Sequence, residues 1–89
     1  MSTCEITITN KLGLHARAAA KLVAIANGYS ADVTLEKQGQ QVNGKSIMGV
    51  MMLAASKGSV IRIDVSGEDE EEVMRRLVEL IEDKFGEGE

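Results

Sequence analysis

Between Cys4 and Thr9 apolar and polar residues alternate, with Cys4, Ile6 and Ile8 set against Glu5, Thr7 and Thr9. That is the period of a strand with one buried face. From Ala16 to Asn27 the period lengthens: Ala19, Leu22, Val23 and Ala26 fall at helical spacing, and Gly28 supplies a stop. Val33 and Leu35 then alternate with Asp32, Thr34 and Glu36, and the turn-like pair Gln38-Gly39 leads into a weaker strand over Gln40 to Asn43, which together predict a hairpin. The apolar run Ile47 to Ala55 carries no alternation and is short. It predicts about two helical turns, capped by Ser46 or the preceding Lys45. Ile61, Ile63 and Val65 alternate with Arg62, Asp64 and Ser66 as a last strand. In the final helix Ser66-Gly67-Glu68-Asp69 provides a cap and an acidic start, Val73, Leu77, Leu80 and Ile81 form the apolar stripe, and Lys84 is placed in the last turn. Gly86-Glu87-Gly88-Glu89 reads as a frayed tail.

The order βαββαβα, with strands that each bury one face, predicts an α+β fold in which helices cover one side of an antiparallel sheet. With 89 residues there is room for one domain, residues 1-89, and one modest core. Whatever chemistry the chain performs therefore sits on a single compact surface.

Composition narrows that chemistry. One Tyr, one Phe, no Trp and a formal charge of -4 leave neither stacking aromatics nor the cationic surplus that nucleic-acid binding needs. The lone Cys4 forms no internal disulfide and suits a reducing cytoplasm. No Cys or His grouping has metal-ligand spacing, so neither a metal nor a cofactor is expected. The start Met-Ser-Thr-Cys-Glu lacks a basic segment followed by an apolar one, and no apolar stretch suffices for a bilayer, so export and membrane insertion are not expected.

The one histidine, His15, lies where the loop Asn10 to Leu14 gives way to a helix. The unpaired N–H groups of a first helical turn attract anions and favour a neutral, nucleophilic imidazole beside them. Arg17 can bring a guanidinium to the same anion, and Gly13 gives the loop conformational freedom. A nucleophile and an anion clamp are thus adjacent, and a single transferable phosphoryl group is the chemistry they best permit. The bare spacing His-x-Arg is equally that of a surface or capping histidine. Cys4 has no base partner for nucleophilic catalysis, and no pair of acids stands out among the helix charges.

Gly13-Leu14-His15-Ala16-Arg17-Ala18-Ala19 resembles the active-site segment of the HPr family, the phosphocarriers of the bacterial sugar phosphotransferase system. Lys45-Ser46-Ile47-Met48-Gly49-Val50-Met51 resembles that family's second signature, and the element order resembles its open-faced β-sandwich, a four-stranded antiparallel sheet with three helices on one face. The resemblance implies that enzyme I, drawing on phosphoenolpyruvate, phosphorylates His15 on Nδ1, and that a IIA protein or domain receives the group. It implies that Arg17 binds the phosphoryl oxygens, and that Ser46 is the serine modified by HPr kinase/phosphorylase in lineages that possess it. It further implies a carrier that turns nothing over alone; a monomer is expected, although the sequence leaves the oligomeric state open. Two positions depart from the family pattern: Ala18 stands where proline is usual, and Leu12 where a small polar residue is common. Both imply a less preorganised site that still transfers.

Val50 and Leu53 read as core, whereas the resemblance places Ile47, Met48 and Met51 on an exposed apolar patch beside His15, where flexible thioethers can pack against several partners. Arg17, Lys21 and Lys45 would add a basic rim that steers the chain to acidic partner surfaces. The competing reading from another class is a regulatory module that uses this surface to modulate a kinase or a transcriptional regulator. A further alternative is a carrier of a nitrogen-related branch. A purely regulatory relative has no need of a nucleophile at position 15, and phosphorylation of Ser46 favours regulation. A stand-alone enzyme would need a second acid or base near His15, and the motif holds none.

Overall fold

The structure, a computed structural model, describes Met1 to Glu89. Its elements run β1 (Ser2–Thr7), α1 (Ala16–Asn27), β2 (Asp32–Lys37), β3 (Gln40–Asn43), α2 (Ile47–Met52), β4 (Val60–Ser66) and α3 (Glu70–Glu82), followed by a short 3₁₀ turn at Lys84–Gly86. The four strands form one antiparallel sheet in the order β1-β4-β2-β3. The expected α+β sandwich, open on one face, is therefore present.

Alternation along the strands decides which face is covered. Ile61, Ile63 and Val65 of β4 and Val33 and Leu35 of β2 point to the helices and are buried with Leu22, Val23, Val50, Leu53, Val73, Leu77 and Ile81 in one core. The opposite face is polar. There Arg62 donates to Glu36 of β2 at 2.5 Å and to Asp64 at 3.2 Å, and Thr3 of β1 donates to Asp64 at 2.9 Å. A face laced in this way has no need of a second layer.

β1 begins two residues earlier than the alternation suggested, because its ladder with β4 runs from Ser2 opposite Val65 to Thr7 opposite Val60. Ile8 keeps its expected place: it is fully buried, and its backbone bonds Gly58 and Ser59 just past the strand. Asn10 is also fully buried. Gly28 closes α1 as expected, in right-handed backbone, φ -76°, its N–H donating to the Ile25 carbonyl at 3.0 Å so that the helix stops on a tightened turn. Beyond it, the Tyr29 hydroxyl donates to Glu72 at 2.5 Å and accepts from Arg76 at 3.0 Å, and the Arg76 guanidinium lies 5.8 Å from the ring centroid. This cluster ties the C-terminal end of α1 to α3.

Ser46 is the cap of α2: its Oγ accepts the Gly49 N–H at 3.1 Å. The helix is shorter than the apolar run, because Ala54 takes a left-handed backbone, φ 51°, and the Leu53 and Ala54 carbonyls accept from the Lys37 ammonium instead of continuing the helix. In α3 Glu70 reaches back to the Gly67 N–H at 3.1 Å. That bond is the chief reason its carboxyl lies below the ordinary value. Lys84, expected in the last turn of α3, falls outside it. The chain turns left-handed at Lys84 and Phe85, φ 54° and 56°, which drives Phe85 fully into the core. The tail beyond is consequently tethered to the molecule.

Candidate functional site

The loop before α1 is fixed from both sides. Asn10 closes it, its carbonyl accepting from the Gly13 N–H at 3.2 Å and its Nδ2 donating to the Gly13 carbonyl at 2.8 Å. Leu14, buried, donates its N–H to the Ala55 carbonyl at 2.9 Å. At Gly13 the backbone is left-handed, φ 66°, and a Cβ would lie 2.4 Å from the Ala55 oxygen and 2.8 Å from the Ser56 Cα. Only glycine lets the loop lie this close to the segment that follows α2.

The loop delivers His15 as the N-cap of α1, in extended backbone with its carbonyl accepting from the Ala19 N–H at 2.8 Å. Its side chain does not cap the helix, so the N–H groups of the first turn keep their capacity for an external acceptor. Ala18, third in the helix, retains an N–H that a proline there would lack. The ring lines an open basin with Lys11, Leu12, Ala16, Arg17 and Lys21 on one side and Gly86, Glu87 and Glu89 on the other. Arg17 is exposed and forms no ion pair. Leu12 is 66% exposed at the rim.

The tail supplies the rest. His15 Nε2 lies 2.5 Å from Glu87 Oε2, and Glu87 Oε1 accepts from Asn10 Nδ2 at 3.0 Å. Lys21 donates to the Phe85 carbonyl at 2.6 Å, and the Lys11 N–H to the Glu89 carbonyl at 2.6 Å. Residues 86 to 89 thus form a strap across the basin, where a frayed end was expected. Glu87 and Asn10 are the two site residues that sequence reasoning missed. For Glu87 the available signal was Phe85, the only phenylalanine, placed just after a helix and in need of burial.

The hydrogen bond from His15, then that from Asn10, holds the Glu87 carboxyl below its ordinary value of 4.5. A depressed carboxyl stabilises the docked tail above the value it has when undocked, and that contribution disappears as pH falls through the lower docked value. Acidification below about 4.5 should therefore release residues 86 to 89 before the core unfolds, visible as sharpening of their amide NMR signals while those of β4 stay dispersed. Signals that change only with global unfolding would show that Glu87 does not hold the strap.

The remaining residues of interest lie along α2. Ile47, Met48, Met51 and Met52 are exposed, at 44%, 71%, 40% and 65%, whereas Val50 and Leu53 are buried. α1 and α2 run antiparallel: Lys45, before α2, donates to the Tyr29 carbonyl beyond the end of α1, and Ala55, after α2, bonds Leu14 before its start. Lys45 is therefore engaged at the end of α1 remote from His15, and Lys21 at the tail. Of the expected basic rim, only Arg17 and Lys21 share the basin with His15. No group of His, Cys, Asp and Glu could hold a metal ion, and no helix is long and apolar enough to cross a membrane.

A family model described as the PTS HPr component phosphorylation site matches residues 2–83. The chain belongs to the HPr family. It is 57% identical over 83 residues to the phosphocarrier protein HPr of Xylella fastidiosa, covering 93% of both chains, and 53% identical over 90 residues to that of Pseudomonas aeruginosa, covering both in full. The crystal structure of HPr-C-His from Thermoanaerobacter tengcongensis superposes with a TM-score of 0.95 at 49% identity, over 98% of each chain. This HPr-family chain is accordingly a phosphoryl carrier of the phosphotransferase system, with the fold of its structural relatives.

Proposed function

We propose that His15 Nδ1 accepts a phosphoryl group from enzyme I, with phosphoenolpyruvate as ultimate donor, and hands it to a IIA protein or domain. The observation that carries this reading is the placement of His15: its ring stands beside an uncapped helix start with Arg17 and Lys21 in the same basin, and its Nδ1 has no partner. The Nδ1 lone pair forms the new N–P bond as the bond from phosphorus to the donor atom breaks, that electron pair leaving with the donor. The helix N–H groups and Arg17 take up the negative charge on the phosphoryl oxygens. Incubation with phosphoenolpyruvate and a cognate enzyme I should yield one acid-labile, base-stable phosphoryl group, mapped to the peptide containing His15. A label elsewhere, or none, would overturn the reading.

Arg17→Ala should keep the nucleophile and lose a charge-assisted contact of about 1.5–3 kcal/mol, slowing transfer by roughly 10- to 150-fold. Unchanged rates in both directions would leave the helix N–H groups as the sole clamp.

Ser46 is the regulatory serine in this reading. A phosphate there adds a charge of about -1.5 to -2 at a helix start that tolerates it, beside the exposed Ile47, Met48 and Met51 on which partners would dock. Docking to an acidic surface of enzyme I should weaken about tenfold or more, while the melting temperature stays near that of the unmodified protein. Calorimetric titration and thermal unfolding of the phosphoserine form separate the two effects; equally tight binding would leave Ser46 as a cap only.

A further inference from the structure

Resting on the reading that His15 Nδ1 is the nucleophile, we infer that Glu87 is the positioning residue that selects this nitrogen, by holding the proton of the imidazole on Nε2. A neutral imidazole carries one proton, and whichever nitrogen holds it cannot attack phosphorus. A carboxylate 2.5 Å from Nε2 can only accept, so the proton stays on Nε2 and the Nδ1 lone pair is free. When Nδ1 bonds phosphorus the ring becomes a phosphoimidazolium with its Nε2–H intact. The adjacent carboxylate then faces the developing positive charge, and when the group leaves, the electron pair of the N–P bond returns to Nδ1, so the proton stays on Nε2 through both transfers.

The carboxylate is itself held. Asn10 Nδ2 directs one hydrogen to the Gly13 carbonyl at 2.8 Å and the other to Glu87 Oε1 at 3.0 Å. The Gly13 carbonyl fixes which end of the buried Asn10 amide faces Glu87, because a flipped amide would set Oδ1 against that carbonyl. Phe85, fully buried, and Lys21 on its carbonyl fix the tail that carries Glu87. The orientation of the imidazole proton is thus written through Gly13, Asn10 and Glu87 in sequence.

That chain of donors makes the nearly isosteric Glu87→Gln the decisive variant. The carbonyl of the substituted amide would have to face the Asn10 donor, which turns its NH₂ towards His15 and demands an acceptor at Nε2. The proton then moves to Nδ1. Long-range ¹H–¹⁵N spectra of the intact protein, at a pH where the ring is neutral, should show the Nε2–H tautomer in the unaltered chain, the Nδ1–H tautomer in Glu87→Gln, and a mixture in Glu87→Ala. Phosphorylation by enzyme I should fall about 10- to 100-fold in Glu87→Gln, and less in Glu87→Ala, whose ring is not held in the wrong form. An unshifted tautomer in Glu87→Gln overturns the inference, and so does a shifted tautomer with an unchanged rate of Nδ1 phosphorylation. If the unaltered chain accepts no phosphoryl group, the functional reading fails, while the tautomers, measured without any donor, still decide whether Glu87 sets the proton.

Discussion

His15→Ala is expected to take up no phosphoryl group from phosphoenolpyruvate and enzyme I while keeping the fold of the parent protein. The loss should be complete, because this is the only histidine and no other imidazole, and no hydroxyl or thiol side chain, lines its basin. Folding should survive, because the side chain belongs to no part of the hydrophobic core and the helix start it leaves behind was not capped by it. The tail loses one of its contacts but keeps Phe85 and the Lys21 bond. Labelling with radioactive phosphoenolpyruvate, alongside far-ultraviolet circular dichroism and thermal unfolding of the same samples, checks both halves. Equal labelling of the variant would remove His15 from the reaction.

Phe85→Ala is expected to produce the largest loss of stability. A fully buried phenylalanine truncated to alanine typically costs about 3–5 kcal/mol, and relief of the left-handed backbone at Lys84 and Phe85 should bring the net cost towards the lower end. For a domain of this size about 3 kcal/mol lowers the melting temperature by roughly 12–24 °C. Because Phe85 anchors the strap, the same substitution should free residues 86 to 89 and leave His15 Nε2 without its carboxylate. Both changes are visible in one set of NMR spectra. A melting temperature within about 4 °C of the parent would show that the core closes without the ring.

The elements legible in the sequence were those whose period reports one buried face. β4, α1 and α3 could be read because Ile61, Ile63 and Val65 recur every second residue, and the two apolar helix stripes every three to four. The cap at Ser46 could be read because a hydroxyl before an apolar run has a local role. What escaped were features decided by distant parts of the chain. Ala54 breaks α2 where Lys37, from the hairpin, offers its ammonium to the freed carbonyls. Lys84 leaves α3 so that Phe85 can fill a space under the helices; the local sequence shows that Phe85 needs burial but not where that space lies. At the site, what was legible is the placement of His15 at the start of α1 after the Gly13 turn, with Arg17 in the same basin, because these residues are neighbours in the chain. The partnership of Glu87 with His15 spans 72 positions, and a segment of alternating glycine and glutamate gives no periodic signal at all.

The cluster around Tyr29 provides a built-in optical reporter. The chain has no tryptophan to mask it, and its single tyrosine is held between α1 and α3 by Glu72 and Arg76, at the end of α1 away from His15. Separation of these two helices exposes the phenol and breaks its hydrogen bonds, changing its near-ultraviolet absorption and emission. None of these contacts involves the end of α1 that carries His15, the proposed acceptor. Unfolding of the helical layer can therefore be followed without a label, in the same cuvette in which phosphoryl groups are exchanged.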